Sequence, residues 1–315
     1  MRFAGRKSIL LSFSIATAMA WPSASFGWGQ DGHEIIATTA RDLLGARNPV
    51  IARHVDSILD MAHDRLLTQY TDRNGRLHSC HGRTMREVAS WPDCVRTFPG
   101  HGSTAGYHFD DVPLCDSVAP PPPPVPAYCL NDNCGSAQLP KFVRQLRNTH
   151  STPRQRAEAL AWIIHIVGDL HQPLHTETYG DRGGNQVAIT IAPGANPGMR
   201  GPANNLHSFW DKDLVFAAMH MTDGQTVQSI AALAQSTLTD RDPHLWVVEA
   251  HAIAQQAYDQ LPAPAYCPVP GGAHMGPSSG GQITAAYVTS FRGAVRDQLA
   301  HAAVRLANVL QSALG

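Results

Sequence analysis

Between Trp162 and His175 the chain reads WIIHIVGDLHQPLH, with His165, Asp169, His171 and His175 set among apolar residues. His165 and Asp169 are four apart. On an α-helix that spacing puts both side chains on one face, about 5–6 Å apart at Cβ, where two ligands can close on one divalent cation. A histidine amid Ile and Val is usually a satisfied core residue. An aspartate is different: Asp169 lies between Val167 and Leu170, and a buried carboxylate keeps its charge only if it is paired, hydrogen-bonded or metal-bound. Pro173 denies the helix a full hydrogen-bond ladder, so the helix kinks or stops and His175 approaches from another direction. A bent element of this kind can serve two metals.

The His-x-x-x-Asp spacing returns at His207 and Asp211 in NLHSFWD, and a repeat owes less to chance than either instance alone. His33, at the start of a helical pattern, Asp93 in SWPDCVR and His108 in YHFDD complete a candidate set of His33, Asp93, His108, His165, Asp169, His175, His207 and Asp211. Their imidazoles and carboxylates exceed the needs of one tetrahedral zinc and suit two or three ions. Copper and iron also accept such donors, but nitrogen and oxygen without thiolate fit a hydrolytic ion. His171 sits two residues from Asp169 on another helical face and is expected to support the site, not to ligate.

The elements that position these residues are helical. GQDGHEIIATTARDLLG after Trp28 reads as a helix stopping at Gly45, and Asn48-Pro49 opens a second running to about Met61. Thr84 and Glu87 form a capping box for a short helix carrying SWPDCVR, with a bend expected at Pro92. Helical signal resumes from Ser136 to Arg147, after a stiff proline run from Ala119 to Pro126. Thr152, Pro153 and Gln155 supply cap, first-turn proline and box residue for the central helix. A Gly-Gly-Asn turn precedes alternating Val187, Ile189 and Ile191, the one clear strand, and Thr284 to Leu314 is a long amphipathic helix whose apolar face packs into the core.

The 315 residues, 43% of them hydrophobic, suffice for one large domain with a substantial core. A net charge of −1 announces no broad basic surface for nucleic acid or acidic lipid, so an anionic substrate needs a local source of positive charge such as bound metal. Residues 1–27 read as a secretory signal peptide: Arg2, Arg6 and Lys7 precede an apolar run, Ile9 to Ala20, too short to span a bilayer. Cleavage after Ala18-Met19-Ala20 leaves Trp21 first, and cleavage after Ser25-Phe26-Gly27 leaves Trp28 first. Export, to the periplasm or beyond the cell, permits disulfides among Cys80, Cys94, Cys115, Cys129, Cys134 and Cys267. Cys129 and Cys134 are spaced for a small loop, and Cys267 is expected to tie back to Cys115. His78 and His81 flank Cys80, but an exported cysteine is more often oxidised than a metal ligand.

In the order WGQDGH, SWPDCVR, YHFDD, HIVGDLHQPLH, GGN and NLHSFWD, these motifs make residues 28–315 resemble the secreted trinuclear-zinc nucleases of the S1/P1 type, with zinc phospholipases C as distant relatives. The resemblance implies a mainly α, single multi-helix domain of the zinc nuclease/phospholipase C type with one small β-hairpin or strand pair. It implies three Zn2+ ions. Asp93, His108, His165 and Asp169 would hold one, and His175, His207 and Asp211 a second. The third would take the terminal amine and carbonyl of Trp28, His33 and the second oxygen of Asp169, which places signal cleavage before Trp28.

Three ions bring about +6 against −3 from three aspartates, leaving roughly +3 in a cleft of a nearly neutral protein. Zinc bound there would make a water acidic enough to attack phosphorus in line near pH 7, and no covalent enzyme intermediate would be required. Arg96, three residues after Asp93, is the candidate for stabilising transition-state charge. From the resemblance, Phe109 stacks a nucleobase and Asp111 bonds its edge or orients the water, while Asn185 is expected to line the cleft. Stacking predicts weak base preference and single strands. The expected substrates are single-stranded DNA and RNA, cut to 5′-phosphorylated products, and nucleotides bearing a 3′-phosphate, with no stable protein partner and no membrane anchor after signal removal. The alternatives are a phospholipase C-like lipid hydrolase and an exported zinc store without catalysis.

Overall fold

A helix that is apolar on every side has to be wrapped by others, and the central helix is such a case. The computed structural model describes residues 28–62, 66–114, 128–195, 203–261 and 279–315. The signal segment, the proline run and the expected Cys115–Cys267 pairing lie outside the described residues. In order the elements are α1 (Gly29–Arg47), α2 (Pro49–Met61), β1 (Thr68–Thr71), β2 (Leu77–Cys80), α3 (Met85–Val88), α4 (Trp91–Arg96), α5 (Gly135–Arg147) and α6 (Pro153–Asp169). They continue with β3 (Ala188–Ile191), α7 (Leu206–Ser208), a π-helical turn at Phe209–Leu214, α8 (Val215–Met219), α9 (Val227–Ala234), α10 (Pro243–Asp259), β4 (Ser279–Ile283) and α11 (Ala285–Leu314). The architecture is mainly helical, as expected.

Helix α6 starts from a complete capping box: the Gln155 N–H donates to Thr152 Oγ1 at 3.2 Å and the Thr152 N–H to Gln155 Oε1 at 2.9 Å. From Ala159 to Asp169 every residue is buried, because α1, α2, α5 and α11 pack around it. That burial makes its His165 and Asp169 dry. The helix ends at Leu170, and the extended backbone of Gln172 ahead of Pro173 leads into a 3-10 turn at Pro173–His175. His175 thus leaves the helix axis, as the proline predicts.

Three local expectations change. Helix α1 runs through Gly45 to Arg47, because the next residue supplies both boundaries: Asn48 ends α1 through its N–H to Leu44 O at 2.8 Å and caps α2 by accepting from Val50 and Ile51 N–H. The helix expected around SWPDCVR is two helices, α3 and α4. The Glu87 carboxylate accepts from Arg83 N–H at 2.7 Å and not from Thr84, so the box is half made, and Pro92 in the first turn of α4 has no N–H to extend α3. A second strand pair joins the expected one. β1 and β2 form an antiparallel hairpin pairing Thr68 with Cys80 and Tyr70 with His78, turned by Asp72 Oδ1 accepting from Asn74 and Arg76 N–H at 2.9 Å each. β3 pairs with β4 in parallel.

Two disulfides stand among the described residues. Cys129–Cys134 closes the expected small loop. Cys80–Cys94 ties the hairpin to α4, with 5.9 Å between Cα atoms.

Candidate metal centre

All eight histidines and aspartates singled out by type and spacing are buried, and the fold brings them together. Asp169 is the hub. Its Oδ2 lies 3.0 Å from both His108 Nδ1 and His165 Nε2, and its Oδ1 lies 3.3 Å from His33 Nε2. Asp93, on α4, places one oxygen 3.7 Å from His108 Nδ1 and the other 3.7 Å from His165 Nε2. His175 Nε2 and His207 Nε2 are 3.2 Å apart, with Asp211 Oδ2 3.4 Å from the latter. Three groups result: His33, His165 and Asp169; Asp93, His108 and His165; and His175, His207 and Asp211, the first two sharing His165 and the third adjoining them through His175 Nδ1, 3.4 Å from Asp169 Oδ1. Within each group one atom per residue lies within 4.8 Å of the others.

Glycines allow these approaches. A Cβ on Gly168 would sit 2.7 Å from His33 Nδ1, so only glycine lets the imidazole from α1 lie against α6. Gly183 has φ +61°, and a Cβ there would collide with the Leu174 carbonyl; its own carbonyl accepts from His207 Nδ1. At the chain's described start, Gly29 is pressed against the Asp211 carbonyl, 2.9 Å from where its Cβ would be, and Trp28 before it is buried.

Backbone carbonyls settle which nitrogens face inward. His165 Nδ1 contacts Ala89 O at 2.7 Å and His175 Nδ1 contacts His108 O at 2.8 Å, and a carbonyl can only accept. Each Nδ1 therefore carries a proton, and in the neutral ring Nε2 presents a lone pair. The same holds for His207, so two lone pairs face each other across the gap to His175. Among buried side-chain atoms without a hydrogen-bond partner are both nitrogens of His33, both oxygens of Asp93, His108 Nε2 and Asp169 Oδ1. Orphaned donors of this kind cost free energy unless a cation sits among them. The donor set fits divalent zinc.

Charge follows the same pattern. Burial holds the His33, His108 and His175 rings below the ordinary imidazole range and His207 down to about 4. Burial also opposes a charge on His165, but Asp169 and Asp93 outweigh it and lift that ring to about 9. For Asp169 burial is outweighed by His165 and His175, and its carboxyl falls well below the usual range. Burial pushes Asp211 well above it. Four of the five rings are therefore neutral at pH 7 and able to coordinate.

The Arg96 guanidinium is largely buried, with Nε 3.7 Å from Asp93 Oδ1, and its charge reaches His207. Half-buried Phe109 packs its ring 4.6 Å from His175 and 6.4 Å from His207. Asp111 is exposed two residues on. Asn185 is half-buried and donates through Nδ2 to Arg182 O at 2.8 Å. His171 points elsewhere: its Nδ1 bonds Val167 O at 2.7 Å and its Nε2 meets Arg305 at 2.9 Å. His78 pairs with Asp72 at 3.1 Å beside a cysteine held in a disulfide. Sequence patterning missed Gln172, fully buried, whose Nε2 donates to Asp211 Oδ1 at 2.7 Å while its Oε1 accepts from Leu174 N–H at 2.6 Å. Its place between the candidate ligands Asp169 and His175 was the available signal. Lys212, next to Asp211, was also passed over.

The family model for S1/P1 Nuclease matches residues 28–315. Among curated relatives, the chain is 26% identical over 237 residues to Nuclease S1 of Aspergillus oryzae, covering 74% of this chain and 68% of that protein. It is 29% identical to Endonuclease 3 of Arabidopsis thaliana, over 42% of each chain. With Nuclease P1 of Penicillium citrinum it shares 26% identity over 58% of this chain and 57% of the relative. The matches to the latter two thus span about half of each relative's length.

Proposed function

From a chain that belongs to the S1/P1 nuclease family, we propose an exported, zinc-dependent phosphodiesterase that cuts single-stranded DNA and RNA to 5′-phosphorylated products and removes 3′-phosphate from nucleotides. The observation that carries this reading is the set of three buried groups of histidine and aspartate, two sharing His165 and the third adjoining Asp169 through His175. One ion is assigned to Asp93, His108, His165 and Asp169, and a second to His175, His207 and Asp211. A third is assigned to His33, the other oxygen of Asp169 and the amine and carbonyl of Trp28, freed by cleavage before it. When bound, zinc supplies Lewis-acid polarisation of the phosphoryl group and a water acidic enough to attack near neutral pH.

The chain's own groups do the rest. Arg96, held beside Asp93, aims a permanent charge where negative charge grows on the phosphoryl oxygens. Phe109, resting on His175, offers a stacking face to a base, which Asp111 bonds at its edge, and Asn185 lines the same opening. A base inside a duplex cannot reach that face, hence the preference for single strands. No described helix is long and apolar enough to cross a membrane.

Zinc stoichiometry and the first residue of the mature protein test the site: Trp21 at the terminus removes the third ion's amine ligand. Single-stranded DNA, duplex DNA and phosphatidylcholine vesicles assayed side by side test the substrate, and hydrolysis of lipid alone overturns the nuclease reading. Arg96→Ala is expected to retain zinc and lose about 10²–10³-fold in turnover. Zinc-loaded parent protein with no turnover on any of the three would point to metal storage.

A further inference from the structure

Beside the metal cluster lies a second hollow, a cleft of about 470 Å³ lined in part by Asp93, Thr97, Phe98, His78 and Lys212. It shares Asp93 with the cluster but does not include Asp111, Asn185 or Phe109, whose ring packs beside His175 and His207. We propose that this cleft is a second nucleotide subsite, taking the nucleoside and phosphate on the opposite side of the scissile phosphate from the base stacked on Phe109. The inference rests on the nuclease reading above.

Size, charge and rigidity all point to this occupant. The volume falls within the range of roughly 300–1,000 Å³ that small-molecule sites occupy. Among the lining residues Asp93 is the one carboxylate, and it is turned toward His108 and His165, while the exposed Lys212 brings an ammonium to the mouth. That leaves a cationic rim, suited to a phosphate, leading to the metals. One wall is an aromatic ladder: His78 stacks on Tyr70 at 4.8 Å and 11°, Tyr70 meets Phe98 edge-on at 4.7 Å, and Asp72 holds the imidazole at 3.1 Å. Such a ladder suits a nucleoside better than a flexible acyl chain. The Cys80–Cys94 disulfide joins β2 to α4, so the wall and the helix bearing Asp93 and Arg96 are held in one geometry.

The test uses zinc-loaded protein and two substrates, a thymidine tetranucleotide and bis(p-nitrophenyl) phosphate, which has a scissile diester but no nucleoside to fill the cleft. Thr97→Trp blocks the cleft from an exposed position, and Lys212→Gln removes its rim charge. For each variant the efficiency on tetranucleotide relative to the small diester is expected to fall about tenfold, carried by KM with kcat within about twofold. An unchanged ratio in both variants overturns the subsite and leaves the nuclease reading standing. An equal fall on both substrates also overturns it, since the substitutions would then be acting through the metals. Parent protein inert toward both substrates removes the nuclease reading and the subsite with it.

Discussion

Helix α6 ends between two polar clusters that solve the same problem in opposite ways. On one side Arg305, fully buried on α11, donates to Glu249 at 2.7 and 2.8 Å, to Asp240 at 3.0 Å and to His171 Nε2 at 2.9 Å, with the Trp246 ring 5.6 Å away. Its cation is part of the chain. On the other side the carboxylates of Asp93 and Asp169 and the imidazoles around them leave oxygens and nitrogens unpaired, with ring lone pairs facing one another. Carboxylates and imidazoles are self-sufficient where an arginine and partial exposure of Asp240 and Glu249 serve them, and incomplete where Asp93 and Asp169 are fully buried without one. A buried cluster short of positive charge is a place built for cations from outside.

Removing the hub of the incomplete cluster has the largest expected effect. Asp169→Ala should lose at least one zinc by elemental analysis and about 10³-fold or more in turnover on single-stranded DNA. Chelation of the parent should lower its melting temperature on the order of 10 °C, since tightly bound metal stabilises only the folded state. The self-sufficient cluster should respond the other way round. Arg305→Met strands Glu249, Asp240 and His171, and because both carboxylates are partly exposed the cost is put at about 3 kcal/mol in urea denaturation. Zinc content should be unchanged; an equal loss of zinc would erase the distinction between the clusters.

Gln172→Ala sharpens the contrast from within the incomplete cluster. It frees Asp211 and the turn before His175, and competition with a chromogenic chelator should show zinc at that position bound about 10–100-fold more weakly. The smallest effect concerns Asp110, a third kind of buried group. Burial raises its carboxyl from 3.8 to about 7 despite hydrogen bonds from Ser136. The folded state then keeps a proton that the unfolded chain releases, so this contribution is fully present below pH 3.8 and is lost as pH rises through about 7. Asp110→Asn should therefore gain on the parent between pH 5 and pH 6 by roughly 1 kcal/mol, read as the difference between two denaturation series. A gap that does not widen with pH would place the ionised carboxylate in both states.

Much of this was legible in residue order because ligand chemistry is confined to a few residue types. Asp169 among aliphatic residues and the recurrence of His-x-x-x-Asp at His207 marked the site, and Thr152, Pro153 and Gln155 marked the helix that carries it. The hairpin at Thr68–Cys80 was missed although Asn74-Gly75 is a turn signal, because its strands are short and largely polar and lack a clear alternating pattern. The split between α3 and α4 and the π-helical turn holding Asp211 depend on which backbone groups find partners. The carbonyls of Ala89, His108 and Gly183, which orient three histidines, belong to every residue type alike and so leave no mark in the sequence.

What the sequence alone determined is the stock of donors and the local frames that hold them: His165 and Asp169 on one helical face, His175 turned aside by Pro173, glycine at 168 and 183. Which donors meet was decided by packing, since His33, Asp93, His108 and His207 come from distant segments and converge only when α1, α4 and the turns after them close on α6. The reason is one of range. Helix caps and i,i+4 spacings act over a turn or two of backbone, whereas a polynuclear centre requires atoms from across the chain within a few ångströms, which the burial of α6 among its neighbours provides.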